Sequence, residues 1–500
     1  MRKWLWVILL ILIESGITLY ANCYWIGLRD KQGSAGDLLH PEQLLSERAL
    51  QRRQRQNIKI DSLDLPVSKV YVDSIRKAGA EILHCSRWQN GVTIQVKEAG
   101  ITDLLNSYDF ITCIELTEDT LYENKALPFP TPKKTVLSSD SIDYGSATSQ
   151  VDMLHLDKLH AEGYQGEDIL IALADDGFYN VPSIEGLRGA YERTIYTHDF
   201  VTYGGDVYLQ GTHGTMVLST IGAETEMMAG TAPKAKFVLM RTEDDDYENY
   251  REMDNLCAAF ELADSIGADI ISISLGYFDA FDSPDMTLNY SQLDGRTTRC
   301  ARSATIAARK GMIVCAAAGN EGNKDWHYIC TPSDADSILC VGAVTSEQEH
   351  SSFSSVGPSA DGRVKPELCA QGSNCGIIDA QTGNVRTGNG TSFATPIMAG
   401  AVACLWGALP DKSNMEIISL LIEHSSQHGT PDYVSGYGIP DVWAAYKNQQ
   451  TSLTKLNNSL LREEVRIYNL NGLYMGTELT HLPHGVYLLR SGESVYKAVR

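Results

Sequence analysis

No Cys-x-x-Cys pair and no His-Glu-x-x-His occurs anywhere in the 500 residues, so zinc has no ligand set of recognisable spacing. An Asp-x-Asp-x-Asp-Gly calcium loop is missing as well. Beyond the N-terminus, no apolar run reaches the roughly 18 residues that a membrane-crossing helix needs. Basic side chains are scarce: 41 Lys and Arg stand against 63 Asp and Glu, a net charge of −22. Such a surface repels nucleic acid and anionic lipid, which excludes both as partners. What is present, 43 % apolar and 21 % charged residues, is a globular composition and excludes a disordered or collagen-like chain. At about 150 residues per domain the length predicts roughly three folded units.

The charge is uneven. Residues 1–148 carry 17 basic and 18 acidic side chains and residues 449–500 carry 6 and 4, which leaves 18 against 41 in the middle. A strongly acidic segment between near-neutral flanks marks a separate domain. The chain opens with Met1-Arg2-Lys3, an apolar run from Trp4 to Ile13 and a polar stretch ending at Ala21, the order of a secretory signal peptide over residues 1–21. Export to the cell surface or medium places the 11 cysteines in an oxidising compartment. Cys315, Cys340 and Cys404 sit in apolar runs and read as buried thiols. Cys369 with Cys375, or Cys300 with Cys330, are the stronger candidates for disulfides, with connectivity open.

Residues 22–140 read as a small α+β unit and its linker. Val67, Val70, Tyr71, Ile75 and Ala78 have helical spacing, and Val92, Ile94 and Val96 alternate with Thr93, Gln95 and Lys97 as in a half-buried strand. Arg52-Arg53-Gln54-Arg55 reads as a solvated helix face. The linker, from Thr120 to Ser149, is rich in Pro, Ser and Thr and open to cleavage. From 141 to 448, unalternated apolar runs (Ile169–Ala174, Phe237–Met240, Ile270–Leu275, Met312–Ala317 and Ile338–Ala343) read as strands covered on both faces. Between two of them, Leu256, Ala259, Phe260, Ala263 and Ile266 have helical spacing. The fold class is therefore α/β, a doubly wound, mainly parallel sheet. In such sheets chemistry gathers at the carboxyl ends of the strands.

Asp175-Asp176-Gly177, Ser274-Leu275-Gly276 and Gly319-Asn320 follow such runs, His213-Gly214-Thr215 opens a helix-like stretch, and Gly390-Thr391-Ser392 leads into a long small-residue helix. A serine hydroxyl becomes a nucleophile when a neutral imidazole takes its proton and a carboxylate holds that imidazole in one tautomer. A developing oxyanion needs donors already aimed at it, here the Asn320 amide and the Ser392 N–H at a helix start. These segments, with Gly230-Thr231-Ala232-Pro233, Val341-Gly342-Ala343-Val344, Phe353-Ser354-Ser355 and Lys365-Pro366-Glu367, resemble the subtilisin-like serine proteases, the subtilases, from about Val151 to Tyr446. The order Asp, His, Ser is the subtilisin order.

The resemblance implies a serine endopeptidase acting on proteins or peptides, with Asp175, His213 and Ser392 as triad and Asn320 in the oxyanion hole. It also implies that Ser274, Leu275 and Gly276 pair with the substrate backbone, and that Ala317, Ala318 and Gly319 line the pocket for the side chain before the scissile bond. No cofactor is required. Asp176 departs from the family pattern, which has a small or hydroxylated residue there; a second carboxylate either raises one pKa or points to solvent. The unit at 22–140 resembles a subtilase propeptide, a partner that assists folding and inhibits the enzyme; an accessory binding domain is the alternative. Glu243-Asp244-Asp245-Asp246 reads as a solvated acidic loop, with calcium as a structural ion the alternative. Residues 449–500 read as a small β-module around Asn471-Gly472 and Gly485-Val486-Tyr487 and are similar to type IX secretion sorting domains, which implies an outer-membrane secretion machinery as partner. The rival reading of the whole chain is a catalytically silent surface binding protein of the same fold.

Overall fold

The computed structural model describes residues 22–119, 142–450 and 466–499, apart from 99, 203, 245, 284–285, 471, 478–481, 483–485 and 492–493. The expected signal peptide and most of the linker lie outside the described residues. The chain divides into two compact units, residues 1–442 and 443–500.

The larger unit opens with an antiparallel sheet of β1 (Asn22–Leu28), β2 (Glu81–Ser86), β3 (Gly91–Val96) and β4 (Ile111–Glu118), in the order β2-β3-β1-β4. Ile26, Val92 and Ile94 pack one face of it on Val72 and Ile75 of the Lys69–Lys77 helix and on Ile101 and Leu105 of the Ile101–Asn106 helix. Val70, read as part of the apolar face, points to solvent. The opposite face is also covered. Thr93 there donates to Asp254 at 3.2 Å, His84 meets Asn255 at 2.8 Å and Ser86 donates to Glu261 at 2.5 Å. All three partners lie on the Tyr250–Ile266 helix, so the polar side of the alternation is a docking face rather than a wet one. Burial there depresses the His84 imidazole to about 4.

The arginine run overturns its reading as a solvated face. In the Glu47–Arg55 helix, Arg52 and Arg53 are 2 % and 1 % exposed. Arg52 pairs with Asp264, Arg53 grips both Asp264 oxygens at 2.8 Å, and Arg87 adds a third guanidinium at 2.9 Å. Arg48 and Arg55 both pair with Asp269. In the opposite direction, Lys310 reaches back to Asp61 and Asp64 at 2.9 Å. Trp88 is the apolar anchor, buried among Leu256, Phe260 and Ala304.

The second sheet has seven parallel strands: β5 (Leu170–Asp175), β6 (Thr194–Asp199), β7 (Lys236–Arg241), β8 (Ile270–Ile273), β9 (Ile313–Ala317), β10 (Leu339–Val344) and β11 (Leu368–Gln371). Their order is β11-β10-β9-β8-β5-β7-β6: from β5 the chain goes to the edge strand β6, returns to β7 beside β5, then crosses to β8 and winds outward to β11. Successive residues serve opposite faces: Ala172, Ala174, Ile271, Ile273 and Val314 share a core with the Tyr250–Ile266 and Arg299–Arg309 helices. The His213–Gly222 and Thr391–Ala408 helices pack on the other side. The five apolar runs are β5, β7, β8, β9 and β10. The edge strand β6 escaped the pattern because half of its residues are exposed and one is buried. The Thr391–Ala408 helix is, by length and composition, apolar enough to cross a bilayer, contrary to expectation, yet 89 % of it is buried inside the domain.

None of the 11 cysteines is paired, which corrects both suggested disulfides. Cys300 lies against the hydroxyls of Thr298 and Thr331, while Cys369 donates to the Ser435 carbonyl and Cys375 to that of Gln371. Each is a buried thiol with its own neighbour, as Cys315, Cys340 and Cys404 are. The C-terminal unit holds an antiparallel sheet of β12 (Arg466–Asn469), β13 (Tyr474–Gly476), β14 (Val486–Ser491) and β15 (Ser494–Val499), in the order β13-β12-β14-β15.

Candidate active site

Asp175 is the last residue of β5, and its Oδ1 lies 2.7 Å from Nδ1 of His213, the first residue of its helix. This fixes the ring so that Nε2 is the nitrogen available for proton transfer. The helix would begin uncapped, since Thr212 offers no side-chain bond. Asp176 caps it instead: Oδ2 accepts from the His213 N–H at 3.0 Å and Oδ1 from the Gly214 N–H at 2.8 Å. The second carboxylate thus does not point to solvent; it is 3 % exposed and clamps the backbone that carries the imidazole. Arg241 secures the clamp from below through its Nε, 2.9 Å from the Asp176 carbonyl.

Burial, reinforced by Asp175, raises the Asp176 carboxyl to about 6. A carboxyl with a higher pKa folded than unfolded binds more protons in the folded state, so its contribution to stability falls as pH rises from about 4 to 6. Asp176→Asn lacks this titration. Its stability relative to the wild type is expected to improve across that window, from a cap loss of roughly 1 kcal/mol at the acid end. Urea unfolding of both proteins at pH 4 and 7 checks it.

Ser392 enters from the other end of the site. It is the second residue of the Thr391–Ala408 helix and 7 % exposed, and its carbonyl accepts from the Ser274 hydroxyl at 2.8 Å. Gly390, at φ 154°, admits no side chain, because a Cβ there would stand 2.7 Å from the Ser392 hydroxyl. Phe393 places its ring 5.9 Å from that of His213. Asn320 follows β9, and its Oδ1 accepts from the Thr391 N–H at 2.9 Å and hydroxyl at 3.1 Å. With its oxygen held, the exposed amide keeps Nδ2 as a donor. Thr391, whose Oγ1 also accepts from the Gly319 N–H at 3.3 Å, therefore orients the donor side. The signal for this role in the sequence is its place directly before Ser392.

Leu275 and Gly276 make no backbone hydrogen bond among the described residues, so this edge is open to an extended strand. The Ala317 carbonyl accepts from the Ser333 hydroxyl at 2.5 Å and the Ala318 carbonyl from the Cys330 N–H at 3.0 Å, which fixes this backbone in place. Gly319 turns the chain at φ 112°. The acidic loop is not simply solvated either. Glu243 is buried, accepts from the Tyr277 hydroxyl, and lies with Glu248 and Glu252 in a carboxylate cluster whose oxygens fall within 4.8 Å of one another. Both Glu252 oxygens accept from the N–H groups of Asp244 and Asn249 and one Glu243 oxygen from the Tyr277 hydroxyl, which leaves three oxygens of the cluster without a hydrogen bond among the described residues.

A buried carboxylate held against an imidazole at one strand end, a serine at a helix start and a side-chain amide after another strand are the side-chain set of a serine hydrolase. Residues 166–438 match the subtilase family model and residues 23–129 the peptidase S8 propeptide domain of Bacteroidota. The chain belongs to the subtilase family: it is a subtilisin-like serine endopeptidase preceded by a propeptide. It is 28 % identical over 313 residues to Subtilisin NAT of Bacillus subtilis subsp. natto, covering 61 % of this chain and 72 % of that one. It is 29 % identical over 285 residues to serine protease AprX of Bacillus subtilis, covering 51 % and 61 %. The epidermin leader peptide processing serine protease of Staphylococcus aureus shares the fold, with TM-score 0.58 at 17 % identity, over 85 % of this chain and 98 % of that one.

Proposed function

We propose that the protein is a secreted, self-processing zymogen in which Ser392 attacks the peptide carbonyl, His213 takes and returns the proton, and Asp175 holds the imidazole. Asn320 Nδ2 and the Ser392 N–H receive the charge that develops on the carbonyl oxygen, and the acyl-enzyme is then released by water. The Asp175–His213 contact carries this reading, because it selects the tautomer a general base needs. Nucleophile, base and donors all come from the chain, so the chemistry calls for no cofactor. The substrate backbone pairs with the open edge at Leu275 and Gly276, and Ala317 to Gly319 receive the side chain before the scissile bond. The C-terminal β-unit serves as an address for an outer-membrane secretion machinery, a role that rests on its sequence pattern.

The test is intact-mass spectrometry over time of residues 22–500 as wild type and Ser392→Ala. Wild type is expected to shed a fragment ending between Thr120 and Ser149 while the variant stays whole. If both stay whole and neither takes up a fluorophosphonate after trypsin nicking of the linker, the catalytic reading fails. Asn320→Ala is expected to lower kcat about a hundred- to a thousandfold with little change in KM, measured on a chromogenic peptide; full turnover in the variant would remove Asn320 from the oxyanion hole.

A further inference from the structure

A cavity of about 550 Å³ opens directly beside the catalytic histidine, with His213 in one wall and Leu275, of the open strand edge, in another. Six carboxylates line it, from Asp176, Glu243, Asp244, Asp246, Glu248 and Asp282, and no lysine or arginine does. Arg241, the cation beneath it, is engaged by Asp199 and Asp244 at 3.5 Å and by the Asp176 carbonyl. Asp176 itself is occupied by two backbone N–H groups.

Glu243 is different. It is 9 % exposed, one oxygen takes the Tyr277 hydroxyl, and the other lines the cavity with no partner among the described residues. Glu248, half-buried beside it, makes no side-chain hydrogen bond or ion pair there. Burying like charges together is unfavourable, and both carboxyls are pushed upward, Glu248 to about 7. A cation entering the cavity relieves this repulsion. The propeptide leads the chain to the same place: Asp119, just past β4, accepts from the Tyr247 hydroxyl at 2.8 Å and the Ser283 hydroxyl at 2.6 Å, and Tyr247 lines the cavity. A peptide thus has a path into it.

We propose that this cavity selects a lysine or arginine side chain of the substrate on the N-terminal side of the scissile bond, with Glu243 and Glu248 as the residues that receive its charge. The inference rests on the endopeptidase reading of Ser392 and His213. A single ammonium or guanidinium is satisfied by a few carboxylate oxygens. Its apolar stem can lie along Leu275 in the wall of the same cavity.

The experiment uses the self-processed enzyme and quenched fluorescent peptides in which one residue, Lys, Arg or Leu, is moved through the four positions before the cleaved bond. At one position the basic peptides are expected to exceed the leucine peptide in kcat/KM by about ten- to a hundredfold, a preference that shrinks with added salt. Glu248→Gln, and Glu243→Gln with it, should bring that ratio close to one. Fluorophosphonate labelling of Ser392 is read in every sample. Labelled, active wild type with no basic preference at any position overturns the inference and leaves the protease reading standing. Absence of both labelling and cleavage overturns both. A ratio of one, together with a calcium-dependent rise in Tm that Glu248→Gln abolishes, makes the cluster a cation site and overturns the inference as well.

Discussion

His213→Ala should lower turnover by about a millionfold, whereas Asp175→Asn should lower it by about ten-thousandfold, magnitudes of the kind found when members of such triads are removed one at a time. The difference follows from the 2.7 Å contact between Asp175 Oδ1 and His213 Nδ1. Without the imidazole no group accepts the serine proton, and only binding and the oxyanion donors remain. With asparagine, the ring is still held in place, but the amide donates to Nδ1 and drives the proton to Nε2, the nitrogen that must be bare. A small population of the productive tautomer sustains the residual rate. Both variants are to be matured by trypsin nicking between Thr120 and Ser149, since neither is expected to process itself, and assayed by kcat on one chromogenic peptide. Equal losses in the two would mean that Asp175 does more than set the tautomer.

The second large effect is expected at the propeptide interface. Asp264 is fully buried and receives Arg52, Arg53 and Arg87. Removing the anion that all three guanidiniums share leaves Arg52 without a carboxylate and Arg53 and Arg87 with only Asp64 and Glu261, which costs about 3 to 5 kcal/mol. Asp264→Asn in the mature enzyme should therefore weaken inhibition by added propeptide roughly a hundred- to several thousandfold, while the mature domain, whose Asp264 then faces water, keeps its stability. A titration of peptidase activity against the propeptide, with urea unfolding as control, checks both halves. An unchanged inhibition constant would place the binding energy elsewhere, first of all in Trp88.

Arg52 and Asp264 are 212 positions apart, and that distance explains what the sequence could and could not reveal. The strands β5, β7, β8, β9 and β10 were legible because burial on both faces leaves unbroken apolar runs, a local signal. The candidate site residues could be proposed for a similar reason, since each sits in a short segment directly after a strand or at a helix start. The partners of Arg52, Arg53 and Thr93 are set by how one folded unit lies on another, and nothing local records it. The same holds for Asp176, whose role as a helix cap depends on the close approach of a β5 end to the His213 backbone. The cysteines were misread because their spacing carries no record of what each thiol packs against.

The face that the propeptide covers is built from Asp254, Asn255, Glu261, Asp264 and Asp269, with Trp88 supplied from the departing side. A cover made of grease would leave the finished enzyme sticky on the day it was shed. In the self-processing zymogen proposed above, Trp88 would leave with the cover, and Asp254, Glu261, Asp264 and Asp269 would stay on the enzyme around the apolar seat of Leu256 and Phe260. The surplus of negative charge in the middle of the chain meets the propeptide's arginines in the zymogen and would face water once they are gone.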